Sequence, residues 1–324
     1  MRPNIASLSV LCCLPMTLLA QSARQEKTIS LPARASVEAV SVSQTGNLIA
    51  AICSDHVVRV WSVSSGEPVR SLEEKNESPN AAQFSTDGRL LAVAYQIVQY
   101  EKAAIRVFDV DLWKEQYDLA APFSMYALAF SPGKRRLAFS HLNTEIWDFG
   151  SGKNLTDISP PFGGSAAMSF SPDGKWVATA DGDGFVRVYD ANTGTLRGTP
   201  TEFLLEPLAV AFSPDGKTVL AGGADKVISI INPESGKVVR VFPRQSGLVS
   251  SLDVSANGKQ AAVVYRSAES FVEANHVILW DLAKGTVLAD FQKLGIVIVG
   301  GTFVSDHYVF VTASDNQLTL WSIP

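Results

Sequence analysis

The chain has 324 residues, 46% of them hydrophobic and 18% charged, which excludes intrinsic disorder because so apolar a chain buries enough surface to offset its conformational entropy. Lys and Arg total 27 against 32 Asp and Glu, for a formal net charge of −5, with the two signs interspersed. Nucleic acid is thereby excluded as an expected partner, since neutralising phosphates takes a basic face.

Residues 1–20 open with Arg2, continue through an apolar run from Ile5 to Leu19 and end at Ala20. The run is shorter than the ~20 residues a spanning helix needs, so it is expected to be a cleavable secretory signal, with the mature chain starting at Gln21, or at Arg24 if cleavage follows Ala23. Periplasmic or secreted localisation follows, with no stable membrane insertion after cleavage. Cys12 and Cys13 fall inside that segment and leave Cys53 as the one thiol of the mature chain. It ends the apolar run Leu-Ile-Ala-Ala-Ile-Cys and is read as a small buried hydrophobe rather than a nucleophile.

Residues 21–324 read as a single repetitive domain. FSTDG (84–88), FSPGK (130–134) and FSPDG (170–174 and 212–216) repeat one phrase, and Val42, Val254 and Val304 hold its first position in three degenerate copies. A second phrase follows each of these seven anchors: VRVWSV, IRVFDV, TEIWDF, VRVYDA, ISIINP, VILWDL and LTLWSI. Apolar and polar residues alternate at period two between Asp-Gly and Ser-Gly turns, so the units are predicted to be short antiparallel strands. Three residues before the anchors stand Ala39, Ala81, Ala127, Ala167, Ala209, Ser251 and Gly301, a column of small residues that lets inner strands converge.

These residues resemble the WD-repeat β-propellers, whose unit spans about 40–45 residues. Trp147-Asp148 and Trp280-Asp281 match the family dipeptide, Phe108-Asp109 and Tyr189-Asp190 are aromatic variants, and the SPDGK style is similar to that of bacterial exported members. The resemblance implies an all-β fold: a seven-bladed β-propeller of four-stranded antiparallel blades. The seventh blade lacks a strand at the C-terminus, and Lys27–Leu31 has the pattern to supply it and close the ring. The family's Gly-His dipeptide is missing from every unit, so its side-chain tetrad cannot form. Its turn aspartate survives as Asp55, Asp183, Asp225 and Asp315, read as structural residues.

Little in the sequence spells out chemistry. His56, His141, His276 and His307 show no metal-ligand spacing, and no metal or cofactor is expected. Asp181-Gly-Asp183-Gly-Phe185 resembles a calcium loop, but Phe185 and Asn192 stand where oxygen ligands belong, and a hairpin turn is the expectation. No P-loop and no G-x-S-x-G elbow is present.

The repeat is interrupted between the second and third strands of units two and six, where Tyr95, Tyr100, Tyr265, Arg266 and Phe271 gather side chains of the kind that anchor interfaces. With Glu38, Asn80 and Tyr126 at the start of inner strands, they are the candidate partner-binding residues, and family loop geometry implies that they are exposed on one face. Trp113 is the exposed-aromatic candidate on the opposite face. The expected function is a non-catalytic, monomeric platform for a protein partner. The alternative is a propeller enzyme or oxidoreductase subunit, which would gather Glu38, Asn80, Asp253 and the histidines around one channel mouth.

Overall fold

Each repeat folds as its alternation dictates. In Leu48–Cys53 five of six side chains are buried, and the outer strand Pro68–Glu73 is exposed except at Leu72, as expected for a sheet covered on both faces near its inner edge and wet at its outer one. The computed structural model describes residues 23–32, 35–97, 102–121, 125, 127–133, 135–161, 164–267, 276–292, 298–313 and 317–323. The expected signal peptide and Asp315 lie outside the described residues.

Seven four-stranded antiparallel sheets form the blades. Blade 1 is Val37–Val42, Leu48–Cys53, Val57–Ser62 and Pro68–Glu73; blade 2 is Glu77–Phe84, Leu90–Ile97, Lys102–Asp109 and Lys114–Ala121. Blade 3 is Ala127–Phe130, Arg136–Ser140, Thr144–Asp148 and Lys153–Ile158; blade 4 is Ser165–Phe170, Trp176–Asp181, Phe185–Asp190 and the short Thr201–Glu202. Blade 5 is Pro207–Phe212, Val219–Gly223, Ile228–Ile231 and Val238–Val241; blade 6 is Leu248–Val254, Gln260–Arg266, His276–Asp281 and Thr286–Gln292. Blade 7 is Ile298–Ser305, Tyr308–Ala313 and Gln317–Ser322, completed by Arg24–Ser30 from the N-terminal end. That strand pairs Thr28 with Thr319 and Ile29 with Leu318, which satisfies an otherwise bare edge. Each inner strand touches the next, and that of blade 7 returns to that of blade 1, so the ring closes.

The core is seven apolar clusters, one at each junction between blades. The third-strand aromatic of each blade, replaced in blade 5 by Ile231, packs in the junction with the preceding blade beside the anchor, as Phe108 and Phe84 do between blades 1 and 2. The small column faces the following blade: Ala81 packs into the junction of blades 2 and 3. Cys53 is fully buried, and desolvation pushes its thiol pKa up.

The seventh anchor is shifted by one residue from its expected place. Blade 7 has a bulge between Phe303 and Ser305, Phe303 pairs with Val309 and is buried, and Phe303 rather than Val304 packs in the junction with blade 6. The small residue of its inner strand is correspondingly Gly300, where a Cβ would lie 2.9 Å from Thr312 Oγ1. The opposite-face candidate Trp113 is also corrected: it is half-buried against the cluster of blades 1 and 2, at φ 52. The turn after Asp109 folds its indole inward instead of presenting it to solvent, with Trp113 N donating to Asp109 O.

Candidate functional site

The inner strands surround a channel of about 940 Å³. Around its mouth six of the seven inner strands carry a register shift in the same place, with Glu38, Asn80, Ala166, Leu208, Ser250 and Val299 as the extra residues. A bulge leaves its extra residue unpaired and re-aims the side chain, so the bend in these strands turns Glu38, Asn80, Ala166 and Ser250 onto the channel wall. Glu38 and Asn80 are exposed; the Asn80 amide also donates to Met125 O at 3.0 Å, tying blade 2 to the start of blade 3. Arg266 ends the second strand of blade 6, is exposed and lines the same channel. Three of the eight candidate residues, Glu38, Asn80 and Arg266, are thus brought together.

Two are removed from it. Tyr95 and Tyr265 are fully buried, not exposed. Their strands continue through them, pairing Tyr95 with Pro79 and Tyr265 with Val249, so the interruptions begin only beyond these residues. Tyr95 packs at the junction of blades 1 and 2 with the Arg106 guanidinium 5.2 Å from its ring centre, and Tyr265 packs at the junction of blades 5 and 6 beside His276. Burial pushes both phenol pKa values up, so both hydroxyls stay protonated. Tyr100, Tyr126 and Phe271 lie outside the described residues.

The channel wall also carries Asp253, and here the chemistry is structural. Its Oδ2 accepts from Thr302 Oγ1 and Phe303 N, both at 2.9 Å, and Oδ1 accepts from Val254 N at 2.9 Å. Ser41 and Ser169 make the corresponding link in blades 1 and 4, accepting from Phe84 N at 3.0 Å and Phe212 N at 3.1 Å. Asp253 is therefore a latch between neighbouring inner strands, three residues and roughly 10 Å along the strand from the ring of bulge residues. Desolvation pushes its carboxyl pKa up, against the pull of those donors.

The turn aspartates have partners the sequence reading missed. Asp55 forms a two-point pair with Arg59 at 2.7 and 2.6 Å, and Asp183 with Arg187 at 2.8 and 2.7 Å. Arg187 also donates to Asp181 at 2.7 Å, and Ser165 donates to the other oxygen of Asp181 at 2.7 Å. The calcium-like carboxylates thus surround the protein's own guanidinium. Arginine supplies the partner that the family's histidine would, and an Asp followed four residues later by Arg was the available signal. His141 and His276 are engaged with Glu145 at 2.7 Å and Asp290 at 3.0 Å. Among the described residues no three His, Cys, Asp or Glu side chains converge in a metal-binding group.

Comparison with known proteins agrees with this architecture. The family model "WD domain, G-beta repeat" matches residues 25–62, 163–190 and 194–232. Those stretches include Asp55, Asp183 and Asp225, but neither literal Trp-Asp dipeptide. WD repeat-containing protein SL1-17 of Schistosoma mansoni is 26% identical over 169 residues, 50% of this chain and 53% of its own length. Human pre-mRNA-processing factor 17 is 26% identical over 159 residues, 46% of this chain and 27% of its own length. Human serine-threonine kinase receptor-associated protein is 24% identical over 146 residues, 44% of this chain and 40% of its own length. The chain spans about half or less of the length of these relatives. Three stretches of the chain thus match the WD40 repeat model, and they lie in a seven-bladed propeller.

Proposed function

We propose that the chain is a non-catalytic platform, exported to the periplasm or the medium, that grips a protein partner across the channel mouth. The observation that carries this reading is the convergence of exposed Glu38, Asn80 and Arg266 on one rim held by seven packed blades. Charged and amide side chains around a recess give orientation and specificity, and a rigid ring presents them without an ordering cost. Tyr100, Tyr126 and Phe271 belong to the same proposal as its aromatic contacts. The names of the two human relatives, a pre-mRNA-processing factor and a receptor-associated protein, fit a role in association. Export rests on the apolar run from Ile5 to Leu19, and mass spectrometry of native material should find the chain beginning at Gln21 or Arg24; Met1 on the soluble protein would remove it.

A catalytic reading has one observation in its favour, that Glu38, Asn80 and Asp253 line one channel. The latch geometry of Asp253 weighs against it, because both its oxygens are already committed to the neighbouring strand and backbone. Affinity capture with the mature protein as bait, run beside an Arg266→Ala, Glu38→Ala bait, tests the platform. A partner retained by the first and lost by the second supports it, and equal recovery removes the rim from the interface.

A further inference from the structure

Of the turn aspartates Asp55, Asp183 and Asp225, the last lacks its cation. Asp55 and Asp183 are followed four residues later by Arg59 and Arg187, which close two-point pairs with them. Asp225 holds the same place in the turn of blade 5, and the residue four on is Ser229. Asp225 is 8% exposed and, among the described residues, forms no ion pair. Its Oδ1 accepts from Val227 N at a long 3.4 Å, while Oδ2 accepts from no protein group and reaches solvent. Desolvation pushes the Asp225 carboxyl pKa up, and exposed Arg244, beyond ion-pair distance, does not offset it; the hydrogen bond from Arg59 holds Asp55 down.

This turn lies against the link from blade 4 into blade 5, Glu202-Phe203-Leu204-Leu205-Glu206, through the bond from Ala224 N to Glu206 O at 2.9 Å. Phe203 is buried in the junction between the two blades, and its N donates to Gly184 O at 2.9 Å. The link is thus anchored at both ends, and its middle is held out in solvent: Leu204 is 84% and Leu205 50% exposed, with exposed Glu202 and Glu206 on either side. Adjacent exposed leucines between carboxylates, beside a buried carboxylate with one open oxygen, are complementary to a segment that carries a cation next to an apolar side chain. Glu206 leads into the first strand of blade 5 and Asp225 follows its second, so the patch is at the same end of the ring as the channel mouth.

We propose that this end of blade 5 is a docking site for a basic segment of a protein partner, whose arginine guanidinium pairs with Asp225 while a neighbouring apolar side chain covers Leu204 and Leu205. Arginine is the cation this turn fits, since Arg59 and Arg187 hold the equivalent carboxylates of blades 1 and 4 at 2.6 to 2.8 Å. None of these residues lines the channel, and the site stands whether or not the rim of Glu38, Asn80 and Arg266 binds.

The test is an amide-resolved NMR titration of the mature protein with a blocked Leu-Arg-Leu peptide and with the same peptide carrying citrulline, which keeps the shape of arginine and lacks its charge. The arginine peptide is expected to shift the resonances of Leu205, Ala224 and Lys226 with saturation, and to bind at least fivefold more tightly than the citrulline peptide. Asp225→Asn keeps an acceptor for Val227 N, so it should weaken binding at least fivefold while melting within a few degrees of the parent. Ser229→Arg supplies the guanidinium from within and should weaken the peptide by a similar factor. The Arg266→Ala, Glu38→Ala double variant, which empties the rim, should bind the peptide as the parent does, so that this site and the channel mouth fail separately. Absence of saturable shifts, equal binding of the citrulline peptide, unchanged binding in Asp225→Asn or in folded Ser229→Arg, or loss of binding in the rim variant would overturn the proposal.

Discussion

Replacing Ile29 by alanine tests how the ring is closed. Ile29 is 4% exposed and sits in the cluster joining blades 7 and 1, with Phe310, Leu318 and Leu320 on one side and Val37, Ile49 and Trp61 on the other. It has no long-range tie to its own blade except the pairing of Arg24–Ser30 with Gln317–Ser322, so its packing is a direct measure of that closure. Truncating a buried Ile to Ala costs about 2–5 kcal/mol, and the strand-edge position, which can partly collapse, favours the lower half of that range. At roughly 2–4 °C per kcal/mol the melting temperature should fall by roughly 5–10 °C. The assay is differential scanning calorimetry of the mature protein with its Ile29→Ala variant, and with a chain lacking residues 21–32. The shortened chain exposes the edge of Gln317–Ser322 and should aggregate or melt in a broad, less cooperative transition. A variant within 1 °C of the parent, or a shortened chain that melts as sharply as the parent, refutes closure by this strand.

Arg187→Met leaves Asp181 and Asp183 buried without their cation, and should cost about 3–5 kcal/mol in urea unfolding; a loss below about 1 kcal/mol would show that the cluster is not coupled to the fold. Asp253→Asn tests the latch through pH. The folded carboxyl pKa is raised, so protonated Asp253 is the form the fold favours, and its stabilisation is present below the unfolded value of ~4 and lost as pH rises through the folded one. The melting temperature of Asp253→Asn minus that of the parent should therefore become more positive from pH 4 to pH 8, and a difference that is flat or falls with pH contradicts the assignment.

The ring was legible because it is written seven times. A period-two pattern repeated at a constant spacing fixes blade number, strand direction and the need for a closing strand, and no single unit had to be read correctly. The seventh anchor slipped from Phe303 to Val304 because a bulge adds a residue without changing composition. Tyr95 and Tyr265 were misplaced for a different reason: aromatic residues beside an insertion suggest a loop. The anchors contradicted that reading, since Cys53, Tyr95, Asp181 and Tyr265 all stand eleven residues after their anchor in a buried column. The bulges that aim Glu38 and Asn80 into the channel leave no compositional mark, because the extra residues are Glu, Asn, Ala, Leu, Ser and Val. The arginine partners of Asp55 and Asp183 were legible as an Asp followed four residues later by Arg, a spacing that runs from a turn into the strand after it and is passed over when turn aspartates are read as self-sufficient.

The central claim, that the channel mouth holds a protein partner, is tested most directly by the dissociation constant of a captured partner for the mature protein and for its Arg266→Ala, Tyr100→Ala and Phe271→Ala variants. The account predicts at least tenfold weaker binding, about 1.4 kcal/mol, in the Arg266 variant and in at least one aromatic variant, with melting temperatures within a few degrees of the parent. Unchanged affinity in all three variants would contradict it.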